Sequence, residues 1–130
     1  MKAGLKMPTG LQQMLEDLNE LERSRINEIA AEMLEAGADA ALEGMRRRVR
    51  VRTGKLKSNL KRSEVQREGN VSFIEIGLID APGDVVRYGT VHEYGSSSVK
   101  AQSFIRATMN EDKSKIYRAM QARLKARGLE

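Results

Sequence analysis

Glu68-Gly69-Asn70-Val71-Ser72-Phe73-Ile74-Glu75-Ile76-Gly77-Leu78-Ile79 is dense in β-branched and aromatic residues, the side chains that suit a pleated surface. It predicts a strand over 71–79. Gly69-Asn70, with glycine first, suits the positive dihedral that opens a type II′ turn, so residues 61–68 are expected to run back as the other arm of a hairpin.

Upstream the period changes from two to between three and four. Leu11, Met14, Leu15, Leu18 and Leu21, then Ile26, Ile29, Ala30, Met33, Leu34, Gly37, Ala40, Ala41 and Met45 form one stripe, which predicts a long amphipathic helix over 10–47. Thr9 is placed to cap it. Glu16, Asp17 and Glu20 near its start and Arg46, Arg47 and Arg48 at its end complement the helix dipole. The stripe shifts phase between Arg23 and Ile26, which marks a break or bend, and residues 1–9 read as a flexible leader. The Met and Ala content of the stripe points to core packing, with a second subunit as the other cover.

Between helix and hairpin, Arg50 to Gly54 reads as an extended linker, followed by a short amphipathic turn with Leu56 and Leu60. Beyond the hairpin, Asp80-Ala81-Pro82-Gly83-Asp84 is a turn cluster in which Asp84 is placed to cap a short helix through 85–94, ended by Gly95. Ser96, Ser97 and Ser98 form a polar loop, and Val99–Gln102 reads as one more short strand. Ser103 is placed to cap a last helix running to about Lys125, with Ile105, Met109, Ile116, Met120 and Leu124 as its apolar face. The fold class is therefore α+β in a single domain of residues 1–130: a long N-terminal helix, a small antiparallel sheet built on a β-hairpin, a short helix and a C-terminal helix.

At 130 residues the chain has one domain's length. It has no cysteine, which excludes disulfide scaffolds, cysteine zinc sites, iron–sulfur clusters and thiol nucleophiles. The longest apolar run, Ile76 to Ile79, is too short for a membrane span or the apolar region of a signal peptide. Five aromatic residues are too few for a platform that stacks single-stranded nucleic acid. The net charge of +5 hides alternation: residues 1–45 carry −5, 46–67 carry +9, 68–112 carry −4 and 113–130 carry +5.

Catalytic patterns fail on spacing. His92-Glu93 begins like a zinc-protease motif, but the second histidine would fall at Ser96. Thr53-Gly54-Lys55 is not a phosphate loop, because Val49 and Leu56 stand where that loop needs Gly and Ser or Thr. Glu64, Glu75 and Glu93 are not paired by spacing, and Ser96–Ser98 lack a nucleophile elbow. No catalytic, cofactor-binding or metal residue is expected, and no cofactor. The feature above background is the basic stretch: Arg46, Arg47, Arg48, Arg50, Arg52, Lys55 and Lys57 are candidate subunit or DNA contacts. Neutralising the acidic helix, in the same chain or in a neighbour, is preferred over DNA because aromatic interleaving is missing.

Taken in order, Thr53-Gly54-Lys55-Leu56 with Asn59 and Leu60, the strand through Gly77, Tyr88-Gly89-x-Val91-x-Glu93-Tyr94-Gly95 and Ala101-Gln102-Ser103-Phe104-Ile105-Arg106-x-x-Met109 resemble the small tail-completion or head-to-tail joining proteins of long-tailed bacteriophages and prophages. The resemblance covers residues 45–125. It departs at Gly89, Ser96 and Ser103, where the family commonly has Ala, Thr and Pro. It implies a non-enzymatic α+β subunit that forms a ring with itself, expected to be a hexamer, at the neck or head-proximal end of the tail. The implied partners are connector or adaptor proteins and tail-tube or tail-terminator proteins, with contact to DNA in the channel and no membrane. The implied location is the virion, after assembly in the host cytoplasm. Within the motif, Thr53, Gly54, Leu56, Leu60, Gly77, Tyr88, Glu93, Tyr94, Gly95 and Phe104 are structural: Glu93 is expected to accept backbone hydrogen bonds from the next loop, and Tyr88 and Tyr94 to pack on the sheet. The alternative is a basic nucleic-acid-binding accessory protein of host or prophage; a small hydrolase is a distant third.

Overall fold

The computed structural model describes residues 1–6, 8, 10, 11, 13, 14, 23–49, 54–69 and 71–128. Its elements are β1 (Lys2–Lys6), α1 (Arg23–Arg48), α2 (Lys55–Ser58), β2 (Leu60–Arg62), β3 (Gln66–Glu68), β4 (Val71–Leu78), α3 (Gly83–Tyr94), α4 (Phe104–Glu111) and α5 (Lys113–Ala126). Thr9, Glu16, Asp17 and Glu20, the residues expected to start the long helix, lie outside the described residues.

Strand β4 is the axis of the sheet. All its partners are antiparallel to it: β1 along one side, β2 and β3 along the other. Alternation sends Ile74, Ile76 and Leu78 to one face, where Leu5 of β1 and Leu60 of β2 join them in the core. The arm expected over 61–68 is interrupted. Arg62 faces Ile76 and Gln66 faces Phe73, so Ser63, Glu64 and Val65 oppose only Glu75 and Ile74, which is a β-bulge. Ser63 bridges it: its N–H donates to the Glu75 carbonyl at 2.8 Å, and its Oγ accepts the Glu75 N–H at 3.0 Å.

Helix α1 packs on the sheet, α4 and α5. Met33, Leu34, Ala38, Ala41 and Met45 are fully buried, as are Phe104, Ile116 and Met120 on the helices that cover it. The Met and Ala stripe is core.

Other expectations also differ from the structure. The leader over 1–9 contains β1, because Leu5 and half-buried Ala3 alternate inward between exposed Lys2, Gly4 and Lys6; two apolar side chains in five residues are too short a pattern to read. Val99–Gln102 is not a strand: the Gln102 and Ser103 N–H groups donate to the His92 carbonyl, at 2.6 and 3.2 Å, instead of to a ladder. Asp84 is not a cap, since α3 begins at Gly83 with Pro82 in the cap position. The C-terminal helix is two helices. At Asp112 the backbone sits at φ −95°, ψ 10°, outside the helical basin, and its carboxylate turns toward α1.

Gly77 explains why β1 can lie so close. Its φ of 144° is a region side chains avoid, and a Cβ there would stand 3.0 Å from Lys2 Cα and 3.1 Å from the Met1 carbonyl. Gly77→Ala is therefore expected to lose roughly 1–3 kcal/mol, read as a lower urea midpoint with an unchanged slope. A wild-type midpoint would mean that β1 does not lie against residue 77.

Candidate functional site

The basic segment divides into three fates. Arg48, near the end of α1, grips Asp112 with a fork: Nη1 donates to Oδ2 at 2.7 Å and Nη2 to Oδ1 at 2.9 Å. The same guanidinium reaches Glu111 at 3.1 Å and Thr108 Oγ1 at 3.3 Å, and Arg47 Nη2 adds a bond to Asp112 at 2.8 Å. A side chain at position 44 would occupy the space of the Asp112 carboxylate, so Gly44 is what lets it approach α1. Arg46 instead donates to the Leu60 carbonyl of β2 at 3.1 Å. Lys55 and Lys57, on α2, are exposed, and Lys57 borders an open groove with Asp39, Glu43 and Arg46. Gly54 precedes α2 in the left-handed region, and Leu56 and Leu60 behind it are buried. Arg50, Arg52 and Thr53 lie outside the described residues.

The hydrogen bond from Arg48 outweighs burial of the carboxylate and, with the charges of Arg48 and Arg47, lowers the Asp112 pKa from 3.8 to about 2. Arg48 is raised by the same interaction, which counts once. With a side chain 7% exposed, Asp112 outweighs pairs such as Arg62–Asp39, where the aspartate is 64% exposed and the contribution is at most about 1 kcal/mol.

A second centre lies at the end of α3. Glu93 is 1% exposed, and its carboxylate accepts the N–H of Ile105 at 3.0 and 3.2 Å and of Arg106 at 3.4 Å. These are first-turn donors of α4, which no helical carbonyl can satisfy. Ser103, in the cap position, makes no capping bond through its side chain; its φ is 52°, and its Oγ donates to the Glu93 carbonyl at 3.2 Å. Arg106 closes the corner, with Nη2 donating to that carbonyl at 2.6 Å and to Ser103 Oγ at 2.9 Å. Gly95, at φ 82°, terminates α3. The motif implies that Glu93 accepts from the backbone of the next loop; its donors lie instead in the first turn of α4. Tyr88 packs against the core and meets His92 ring to ring at 4.3 Å, but Tyr94 is not on the sheet: it is 60% exposed, beneath Arg106 at 4.7 Å.

Asp112, Thr108, Glu111 and Gly44 were not singled out by sequence, and Arg106 only as a member of the last motif. One signal was present: Asp112 falls in phase with Met109 and Ile116 on an apolar face, where a carboxylate needs a partner. Glu75 pairs with Lys2 at 2.6 Å, and Glu64 is exposed, so the three glutamates weighed as acids do not converge. Among the described residues no cluster of three or more His, Asp or Glu could hold a metal, and no helix is long and apolar enough to cross a membrane.

The fold is α+β, and its two buried carboxylates serve as joints between its own helices. Residues 12–79 match the family described as "Bacteriophage HK97-gp10, putative tail-component". The match covers more than half of the chain, which belongs to that family of phage tail components. It takes in α1, the basic segment and β2–β4, and ends before the Tyr88–Gly95 and Ala101–Met109 motifs. No curated protein and no solved structure matches the chain.

Two measurements check the joints. The depressed Asp112 pKa means that its contribution is complete above about pH 4 and is lost as pH falls through about 2. Urea titrations across that window should show a loss of about 2 kcal/mol in the wild type that is missing in Asp112→Asn; parallel curves would refute the pair. Glu93→Ala, which strands the Ile105 and Arg106 donors, should cost roughly 2–4 kcal/mol, and Glu93→Gln, which keeps one acceptor, less. Equal melting of all three proteins would show that the carboxylate does not hold the corner.

Proposed function

We propose that this tail component is a tail-completion or head-to-tail joining protein, which assembles as a ring of six copies at the neck or head-proximal end of the tail. In this reading it sits between connector or adaptor proteins and the tail-tube or tail-terminator protein, and it acts by geometry without catalysis. The observation that carries the reading is how its charges are used. Arg48 turns inward to Asp112 and Glu111 and half-exposed Arg47 adds a bond to Asp112, whereas Glu35 and Glu43 on α1, Lys57 on α2 and Lys61 in β2 are exposed and form no ion pair among the described residues. Opposite charges left open on one subunit can set register between copies, while apolar burial supplies affinity.

The inward turn also weakens the accessory-protein alternative. Phosphates in a channel could meet Lys55, Lys57 and half-exposed Arg47, but Arg48 would first have to leave Asp112. The domain is read as single over 1–130, with its motif residues structural.

Native mass spectrometry and electron micrographs of the purified protein should show closed rings of six, and the chain should be found in purified tails or virions. Binding to free duplex should be weak, with a shallow salt slope. A monomer at all concentrations that binds duplex steeply with falling salt would overturn this reading.

A further inference from the structure

The two edges of the sheet are not equivalent. In β4, the residues that bond toward β1 are those at even positions: the Leu78 N–H donates to the Met1 carbonyl at 3.2 Å, and Ala3 and Leu5 face Ile76 and Ile74. By the antiparallel pattern, the N–H and C=O groups of Lys2, Gly4 and Lys6 point away from the sheet, and none of them is bonded among the described residues. The opposite edge is partly closed. Arg46 occupies the outward Leu60 carbonyl, and the bulge at Ser63–Val65 bends the strand. Beyond the bulge, β3 and Gly69 form a hairpin arm exposed at every residue, with Val71 47% exposed beside it.

We propose that the free edge of β1 receives the β3 arm of a second copy, so that the sheet continues from subunit to subunit. The inference rests on the ring reading and names its contact. Lys2 and Lys6 project from β1 on the outer sheet face; Lys2 is held by Glu75 of its own subunit at 2.6 Å, which leaves Lys6 to meet Glu68 on the same face of β3, with Glu64 exposed in the bulge beside it. Lys6 therefore finds carboxylates of opposite charge in Glu68 and Glu64. Arg67, the opposing charge on that arm, is turned back to the Gly69 carbonyl through its Nε at 3.2 Å. Beside β1 lies a groove of about 200 Å³ whose lining mixes apolar Ala3, Ile105 and Met109 with Glu93, Arg106 and Asn110. β1 and β3 both run antiparallel to β4, and the sixth of a turn between neighbours in the proposed ring tilts a strand without reversing it, so the two meet parallel.

Gly4→Pro tests this directly. It removes an N–H that the subunit does not use, and a side chain there meets no atom within 4 Å, so an edge strand should accept it. Expected are an unchanged circular dichroism spectrum and melting temperature, with assembly weakened roughly 10- to 100-fold by native mass spectrometry. Lys6→Glu and Glu68→Lys should each weaken assembly, and the double variant should restore it; this pair decides the matter if the proline variant does not fold. Gly4→Pro that folds and assembles like the wild type overturns the edge contact and leaves the ring reading standing. Weakening by Gly4→Pro without any effect of the charge reversals overturns β3 as the occupant. A wild-type monomer at all concentrations overturns both.

Discussion

The fork between Arg48 and Asp112 joins the end of α1 to the point where α4 gives way to α5. Much of the architecture follows from it. Helix α1 is too apolar around its circumference to be covered by a three-row sheet alone, and its second cover is the pair α4 and α5, both of which pack on it. Two helices can follow one long helix only if they do not continue each other, and the change of direction falls at Asp112. The missing side chain at Gly44 makes room for the carboxylate, so a glycine on one helix and an aspartate between two others act as one device.

Both buried carboxylates obey the same rule. Taking a charge out of water costs several kcal/mol unless donors surround it, and each is surrounded by donors from a different stretch of chain. Asp112 collects guanidinium N–H groups from α1; Glu93 collects the backbone N–H groups that begin α4. In the second case the donors exist because a helix start leaves them over, so the glutamate of α3 replaces the cap that Ser103, in its left-handed conformation, does not provide. Each joint fixes an angle between helices and leaves little polar capacity for chemistry.

Much of this was legible in the sequence where a pattern was long. The strand through Gly77, the turn at Gly69 (φ 62°), the long helix from Arg23 to Arg48 and the apolar face at Ile116, Met120 and Leu124 all appear where the pattern placed them. What periodicity could not carry was a contact between distant segments. Leu5 and Ala3 are too few to announce β1, Asp112 looks like any helical aspartate until Arg48 meets it 64 positions away, and the basic run looks like a surface until two of its arginines reach Asp112. The corner residue Glu93 was found by motif, since a buried glutamate before an aromatic residue and glycine has no periodic signature.

The edge asymmetry bears on what kind of assembly such a subunit can form. Native proteins blunt their sheet edges; here Arg46 and the bulge do so on one side, while on the other β1 carries only Lys2 and Lys6 and its outward backbone groups are unbonded among the described residues. An open edge could in principle meet its own copy about a two-fold axis. That arrangement sets Lys2 against Lys6 and Lys6 against Lys2 around a central Gly4, and like charges directly across a ladder are destabilising. Lys6 favours an arm bearing Glu64 and Glu68, which belongs to the other side of the sheet. Charge placement thus disfavours the closed dimer and favours contact between unlike edges. Unlike edges can close only by going round, which is the condition for a ring.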